Sequence, residues 1–437
     1  MIVVCWQHRL RVGWQFSYAR GGAALHAKHS PPPAKPSRQS TEHTSGLADL
    51  GITANDARTL ADQSAARDGR TESFSSTMYW LLLFIPAAVG LEWFAPEQHL
   101  PIFITSSLAI LPLAWWMGRA TEELADRLGD AIGGLLNATF GNAAELIIAL
   151  MALRAGLHDV VKASIAGSII GNILLVLGAA MLAGGIRRPQ QSFNPAGARS
   201  QATMLTLAAI TLVLPATFGS AANTTAEGLG RLSIALSLVL LFAYLLNLAF
   251  ALITHPELFE GSREQENEEG SDANEKDKAQ TPLVRPAAVL AVTTAGIAWM
   301  SEILVAAIGP TVHELGLSNV FVGVFVVAVM GNAAEHATAI TAAWKDRMDL
   351  SLSIAIGSSV QVALFVAPVL VLASLVLGPT RMDLAFPAGL VLAVLLSVLV
   401  TGQIAGDGRS DWLKGAQLLI VYLVLALTFF FLPAGAP

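Results

Sequence analysis

The stretch GNAAELIIALMALRAGLHD, Gly141 to Asp159, decides the fold, because it returns as GNAAEHATAITAAWKDRMD at Gly331 to Asp349. The match runs without gaps from 141–174 to 331–364 at an offset of 190, and eleven of the 34 pairs are identical. Beyond the opening five residues the identities include Asp159 with Asp349 and the Gly-Ser pair at 167–168 and 357–358. Five identities in a row can arise by chance in an apolar chain. The in-register Asp and Gly-Ser that follow make duplication the better account.

Around both copies the chain is a series of long apolar runs. Of its 437 residues, 54% are hydrophobic and 13% charged, about half the charge of an ordinary soluble domain. Runs of about 20 apolar residues match the bilayer core at helical rise. In lipid the backbone must satisfy itself, so the runs are helices and not strands. Eleven spans are predicted, at about 78–95, 101–118, 131–153, 160–184, 201–219, 231–253, 285–308, 318–343, 350–377, 383–402 and 412–432. The reading is an all-α membrane protein of about 11 transmembrane helices, with the lipid bilayer as its main partner. The two motif copies open spans three and eight. An odd separation makes them cross in opposite directions, the inverted repeat of many secondary transporters, whose site lies near the midplane.

Two segments stand apart. Residues 1–77 are polar, with Pro31 to Pro33 and no sustained apolar period, and read as a disordered tail without a signal sequence. Met78 directly precedes the first apolar run, so initiation there is an expectation of the sequence. Glu257 to Lys278 holds nine acidic residues against three basic ones and reads as a solvated linker between halves. With the start inside, ten Lys and Arg fall in cytoplasmic gaps (Arg119, Arg127, Arg187, Arg188, Arg199, Arg285, Lys345, Arg347, Arg409, Lys414). Four (Arg154, Lys162, Arg231, Arg381) fall on the other side. The bias predicts a cytoplasmic N-terminus and linker, with a plasma or inner membrane as the default location. Cys5 is the single cysteine, which excludes a disulfide framework and a thiolate metal site. No basic, aromatic-interleaved patch suggests nucleic acid. A homo-oligomer is left open.

Glu145 and Glu335 fall near the middle of spans three and eight. A carboxylate at that depth costs on the order of 3 kcal/mol unless paired, hydrated or protonated. No Lys or Arg lies in either core segment, so protons, a bound cation, or alternation between the two must neutralise the pair. Asn142 and Asn332 sit three residues before each Glu, at same-face spacing. Gly141 and Gly331 weaken the helix at that level, and a break would free backbone carbonyls. Such an oxygen set suits calcium, whereas magnesium resists dehydration. The lack of His or Cys clusters disfavours zinc and copper. Sodium, potassium or manganese exchange stays open, as does a cation channel with the two Glu as its filter. An intramembrane metalloenzyme does not: His313 and Glu314 begin like HExxH, but Leu317 stands where the second His must be. The chain is therefore read as no enzyme, with no resident cofactor.

The paired GNAAE segments, LLNATFGNAAELI at 135–147, and GNAAEH followed by GSSVQVALFVAP at 357–368 resemble the calcium/proton exchangers of the cation/calcium exchanger superfamily. The resemblance covers about 78–432. It implies a tail (1–77), an extra first helix (78–100), and inverted five-helix halves at 101–256 and 283–437 joined by an acidic linker (257–282). It implies Ca2+ and H+ as transported ions sharing Glu145 and Glu335, with Asn172 and Gln361 as the amides beside the site. The Thr-Ser-x-Pro-Glu type motif usual in sodium-coupled relatives is absent.

Other polar residues carry weaker expectations. His336 follows Glu335 and has the titration range of a proton shuttle. Glu123 and Glu302 could form an acidic access path or be merely solvated. Ser168, Ser358 and Ser359 could line the cavity or permit close packing. Asp159 and Asp349 are expected to cap the helices they begin.

Overall fold

The long apolar runs close as helices, and the computed structural model is all-α apart from one short ladder. It describes residues 78–128, 130–221, 225–255 and 283–431, all within the unit Thr71–Pro437. The tail 1–77 and the linker 257–282 lie outside the described residues. In chain order the helices are α1 (Phe84–Phe94), α2 (His99–Leu128), α3 (Asp130–Phe140), α4 (Ala143–Arg154), α5 (His158–Arg187), α6 (Pro195–Ala221) and α7 (Ala226–Thr254). The second half supplies α8 (Val284–Leu315), α9 (Asn319–Gly331), α10 (Ala333–Trp344), α11 (Met348–Ala373), α12 (Ala388–Ala405) and α13 (Trp412–Phe430).

Every expected span overlaps helix, though 383–402 starts five residues before Ala388 and 350–377 runs past Ala373, and the count of eleven crossings is not confirmed. Among the described residues eight helices are long and apolar enough to cross, or up to nine if the bent pair α9–α10 is one span. The first span carries only a shorter apolar helix, Met78–Phe94. The third is divided into α3 and α4, of 11 and 12 residues, each short of the roughly 20 that span a bilayer.

Helix ends follow local chemistry. Asp411 caps α13 by accepting from the backbone N–H groups of Leu413 and Lys414, both at 3.0 Å. Thr225 does the same for α7 through Gly228. The expected caps Asp159 and Asp349 are corrected: the capping positions are Leu157 and Arg347, with no side-chain bond. Both aspartates sit in the first turn, where they favour the positive helix end, and Asp349 accepts from the Asn194 N–H at 2.6 Å.

Contacts at the helix ends show that the two motif helices are antiparallel. A two-residue ladder pairs β1 (Gln191–Ser192), after α5, with β2 (Arg409–Ser410), before α13. At this end Arg188 donates to Trp344 O at 3.2 Å and meets Asp346 at 3.1 Å. The buried Gln191 amide donates to Ala343 O at 2.9 Å and to Asp346 at 2.8 Å. The end of α10 therefore lies where α5 ends. The end of α4 lies where α5 begins, beside the loop in which Lys162 meets Asp383 at 2.6 Å. Helices α4 and α10 thus point to opposite ends, as the inverted repeat requires.

Helices α5 and α11 are the most enclosed long helices, and α7 and α13 the most exposed, with Leu238, Phe242 and Leu245 outward. Helices α5 and α9 approach closely: a Cβ on Gly167 would lie 2.4 Å from Val324 O. Small residues at such crossings let membrane helices pack.

Candidate functional site

The site forms where both motif helices break. Asn142 (φ −101°, ψ 16°) and Asn332 (φ −105°, ψ 7°) leave helical geometry, and α9 and α10 meet at a bend of 65°. The expected weakness at Gly141 and Gly331 is thus realised in both halves. Each break starts a new helix, placing Glu145 in the first turn of α4 and Glu335 in the first turn of α10. The positive end of a helix dipole favours an anion there.

Neither asparagine bonds a cap on its own helix; each reaches into the other half. The buried Asn332 amide donates to Glu145 Oε1 and, at 3.2 Å, to Ser168 Oγ. The Ser168 hydroxyl also donates to Glu145 Oε1. The buried Asn142 amide donates to Gln361 Oε1, and its carbonyl oxygen accepts from Ser358 Oγ at 3.2 Å. Ser358, the repeat partner of Ser168, also stands beside the Glu335 carboxyl. Asn172 donates to Ser358 Oγ at 3.1 Å, and its oxygen lies 3.0 Å from His336 Nε2.

Glycine at 331 is required by this crossing. A Cβ there would lie 2.7 Å from Glu145 Cγ; one on Gly141 would lie 2.7 Å from Asn137 O and 3.7 Å from Glu335 Oε1. Each carboxyl therefore rests near the opposite half's glycine. Oxygens Asn172 and Gln361 come from the wide turns of α5 and α11, at Gly171–Val176 and beside Val362–Val366. Such π-turns often mark functional sites.

Electrostatically the arrangement is incomplete. Glu145 Oε2 and Glu335 Oε2 are buried without a hydrogen-bond partner. No ion pair to either is present among the described residues. No group of three His, Cys, Asp or Glu suited to a metal occurs among them either. What converges is two carboxyls with amide and hydroxyl oxygens, beside a cavity of about 10 Å³ lined by Glu145, Ile148, Ser164, Ser168, Val327 and Val362. That is room for one water-sized occupant. An oxygen set with two orphaned carboxyl oxygens fits a hard divalent cation as cargo.

Other expected residues fall outside this network. Ser359 is buried but bonds back to Ala355 O at 2.9 Å. Glu123 pairs with Arg127 at 2.6 Å one turn on, and Glu302 with Arg154 at 3.9 Å. The reading of the sequence missed Ser164, signalled only by lying one turn before Ser168 on the same face.

Inverted halves that exchange side chains across two broken helices define the architecture of a secondary transporter. The chain belongs to the sodium/calcium exchanger protein family, which matches residues 99–253 and 286–431. It is 46% identical over 369 residues to the Ca(2+)/H(+) antiporter of Aphanothece halophytica, covering 82% of this chain and 97% of that one. Identity to the Ca(2+)/H(+) antiporter ChaA of Bacillus subtilis is 40% over 354 residues, covering 80% and 98%. The solved structure of native YfkE superposes with a TM-score of 0.69 at 36% identity, over 81% of this chain and 99% of that one. The H+/Ca2+ exchanger CAX, at 15% identity over 82% and 92% of the chains and a TM-score of 0.60, shares the fold.

Proposed function

We propose that this membrane protein exchanges Ca2+ for H+ by alternating access, with Glu145 and Glu335 as the shared site. The observation that carries the proposal is the pair of buried, unpartnered carboxyl oxygens in repeat-equivalent positions, with no ion pair to either among the described residues. Two ionised carboxylates match one divalent ion, and two protons neutralise the same groups, so the occupants exclude one another. Support for these two ions comes from the relatives named Ca(2+)/H(+) antiporter, 40% and 46% identical across four-fifths of this chain. In this reading Asn142, Asn332, Asn172 and Gln361 orient the oxygens, Ser168 and Ser358 hold the carboxyls, and His336 stands by as a proton carrier. The breaks at Gly141 and Gly331 let the site face either end. An extra first helix, two five-helix halves and a cytoplasmic linker complete the proposed organisation. The N-terminus is inside, in a plasma or inner membrane.

The test is calcium movement into inside-out vesicles under an imposed pH gradient. Uptake should collapse with a protonophore and be absent in Glu335→Gln. Calcium uptake that ignores the pH gradient, or persists at the wild-type rate in the variant, overturns the proposal.

A further inference from the structure

We propose that Glu302 and Arg154 form a neutralising pair in a water-filled vestibule through which the cation passes between the site and the end opposite the β1–β2 ladder. The inference rests on the exchange function proposed above. It begins with placement. Among the described residues, every carboxylate on a helix except Glu302 stands within two turns of an end of its helix. Glu302 lies in the middle third of α8, yet its side chain and that of Arg154 are both 65% exposed, in loose contact at 3.9 Å. Exposure to hydrocarbon would cost a charge in mid-helix on the order of 3 kcal/mol or more. A tight, enclosed pair could offset that; this pair is neither tight nor enclosed, and water at the pair would remove the cost.

The surface of α8 agrees. Before Glu302 its exposed stripe carries Val284, Val292 and Trp299, large apolar groups suited to lipid. After Glu302 the stripe continues as Ala306, Gly309, Pro310 and His313, with no large exposed hydrophobic side chain before Leu315. The character of the face changes at the carboxylate.

Arg154 connects this surface to the site. It ends α4, whose first turn carries Glu145, and nine residues of helix separate them by about 14 Å. A bare guanidinium beside the path would repel a divalent ion. Acting through water at about 10 Å, one unit charge changes the local abundance of a divalent cation about fourfold. Glu302 cancels that charge and keeps the vestibule permissive to cations.

The test has two arms. In full-length chain with Cys5→Ser, a membrane-impermeant maleimide should label Ala306→Cys from the α4 C-terminal side and leave Val292→Cys unmodified. Labelling does not require transport, so it stands even if the exchange reading fails. In vesicles of both orientations, Glu302→Gln should raise the calcium concentration for half-maximal transport about fourfold from that side alone. Maximal rate should hold, and the effect should shrink at high ionic strength. Adding Arg154→Gln should restore the wild-type value. The pair is overturned if Ala306→Cys is as protected as Val292→Cys, or if Arg154→Gln fails to reverse the shift. Absence of calcium exchange in the unaltered protein would instead overturn the proposed function.

Discussion

Replacing Gly331 by Ala tests the crossed arrangement of the site with one methyl group. The new Cβ would stand 2.7 Å from Glu145 Cγ and 3.6 Å from its Oε1. The Cγ must withdraw by about 0.7 Å to reach an ordinary carbon–carbon contact. Cγ is fixed by χ1 next to the backbone, so the carboxyl moves with it, away from Asn332 and Ser168. Inserting a methyl into a packed site costs about 1–3 kcal/mol. At about 1.4 kcal/mol per decade, this weakens calcium binding roughly fivefold to 150-fold. Initial rates of uptake into vesicles against calcium concentration, at fixed pH gradient, measure the change, and a detergent melting curve checks that the fold persists. A half-maximal concentration within about twofold of wild type would refute the reasoning. It would mean that Glu145 is not held against the other half's backbone.

Three further outcomes are expected. Asp383→Asn removes the charge that faces Lys162, whose side chain is 12% exposed, at 2.6 Å, and leaves the ammonium an amide oxygen and Ala385 O as neutral acceptors. It should cost about 1–3 kcal/mol in thermal stability, less than a fully buried pair because Asp383 is one-third exposed. Gln191→Leu removes both bonds from the ladder end to Ala343 O and Asp346. Ala343 O keeps the Asp346 N–H at 3.1 Å, so the loss is the net worth of two bonds, about 1–3 kcal/mol, readable as a lower melting temperature. The Lys414 ammonium, hydrogen-bonded at 2.8 Å, holds the Asp407 carboxyl below its usual value. A depressed carboxylate stabilises the fold above its unfolded value and loses that contribution as pH falls through its folded one. The melting difference between wild type and Asp407→Asn should therefore be present at neutral pH and vanish on acidification below about pH 4.

Much of this was legible in the residues. The repeated Gly-Asn-Ala-Ala-Glu located both helix breaks and both carboxyls, because glycine weakens helices and glutamate is rare in apolar runs. The partners were not legible. Same-face spacing paired Asn142 with Glu145 along one helix, yet the break turns Asn142 toward Gln361 and hands Glu145 to Asn332. That depends on how two distant helices cross, which no local period encodes. The β1–β2 ladder was equally invisible, since two-residue strands have no alternation to read. The caps expected at Asp159 and Asp349 failed because both helices begin two residues earlier than the aspartates suggest. Glu123 and Glu302 look alike in sequence but take different basic partners, one local and one from another helix.

The traded asparagines have a hereditary consequence. When each half completes the other's site, a change in one copy is judged by the fit of the other, and the copies cease to be interchangeable. Gln361 stands opposite Gly171 in the repeat register, and His336 opposite Leu146. A pairing of two first halves would bring neither Gln361 nor His336, and would leave Asn142 and Asn172 without those partners. A duplication that began as two equal copies has become an obligate marriage of unlike ones, and neither could be lost or replaced without the other.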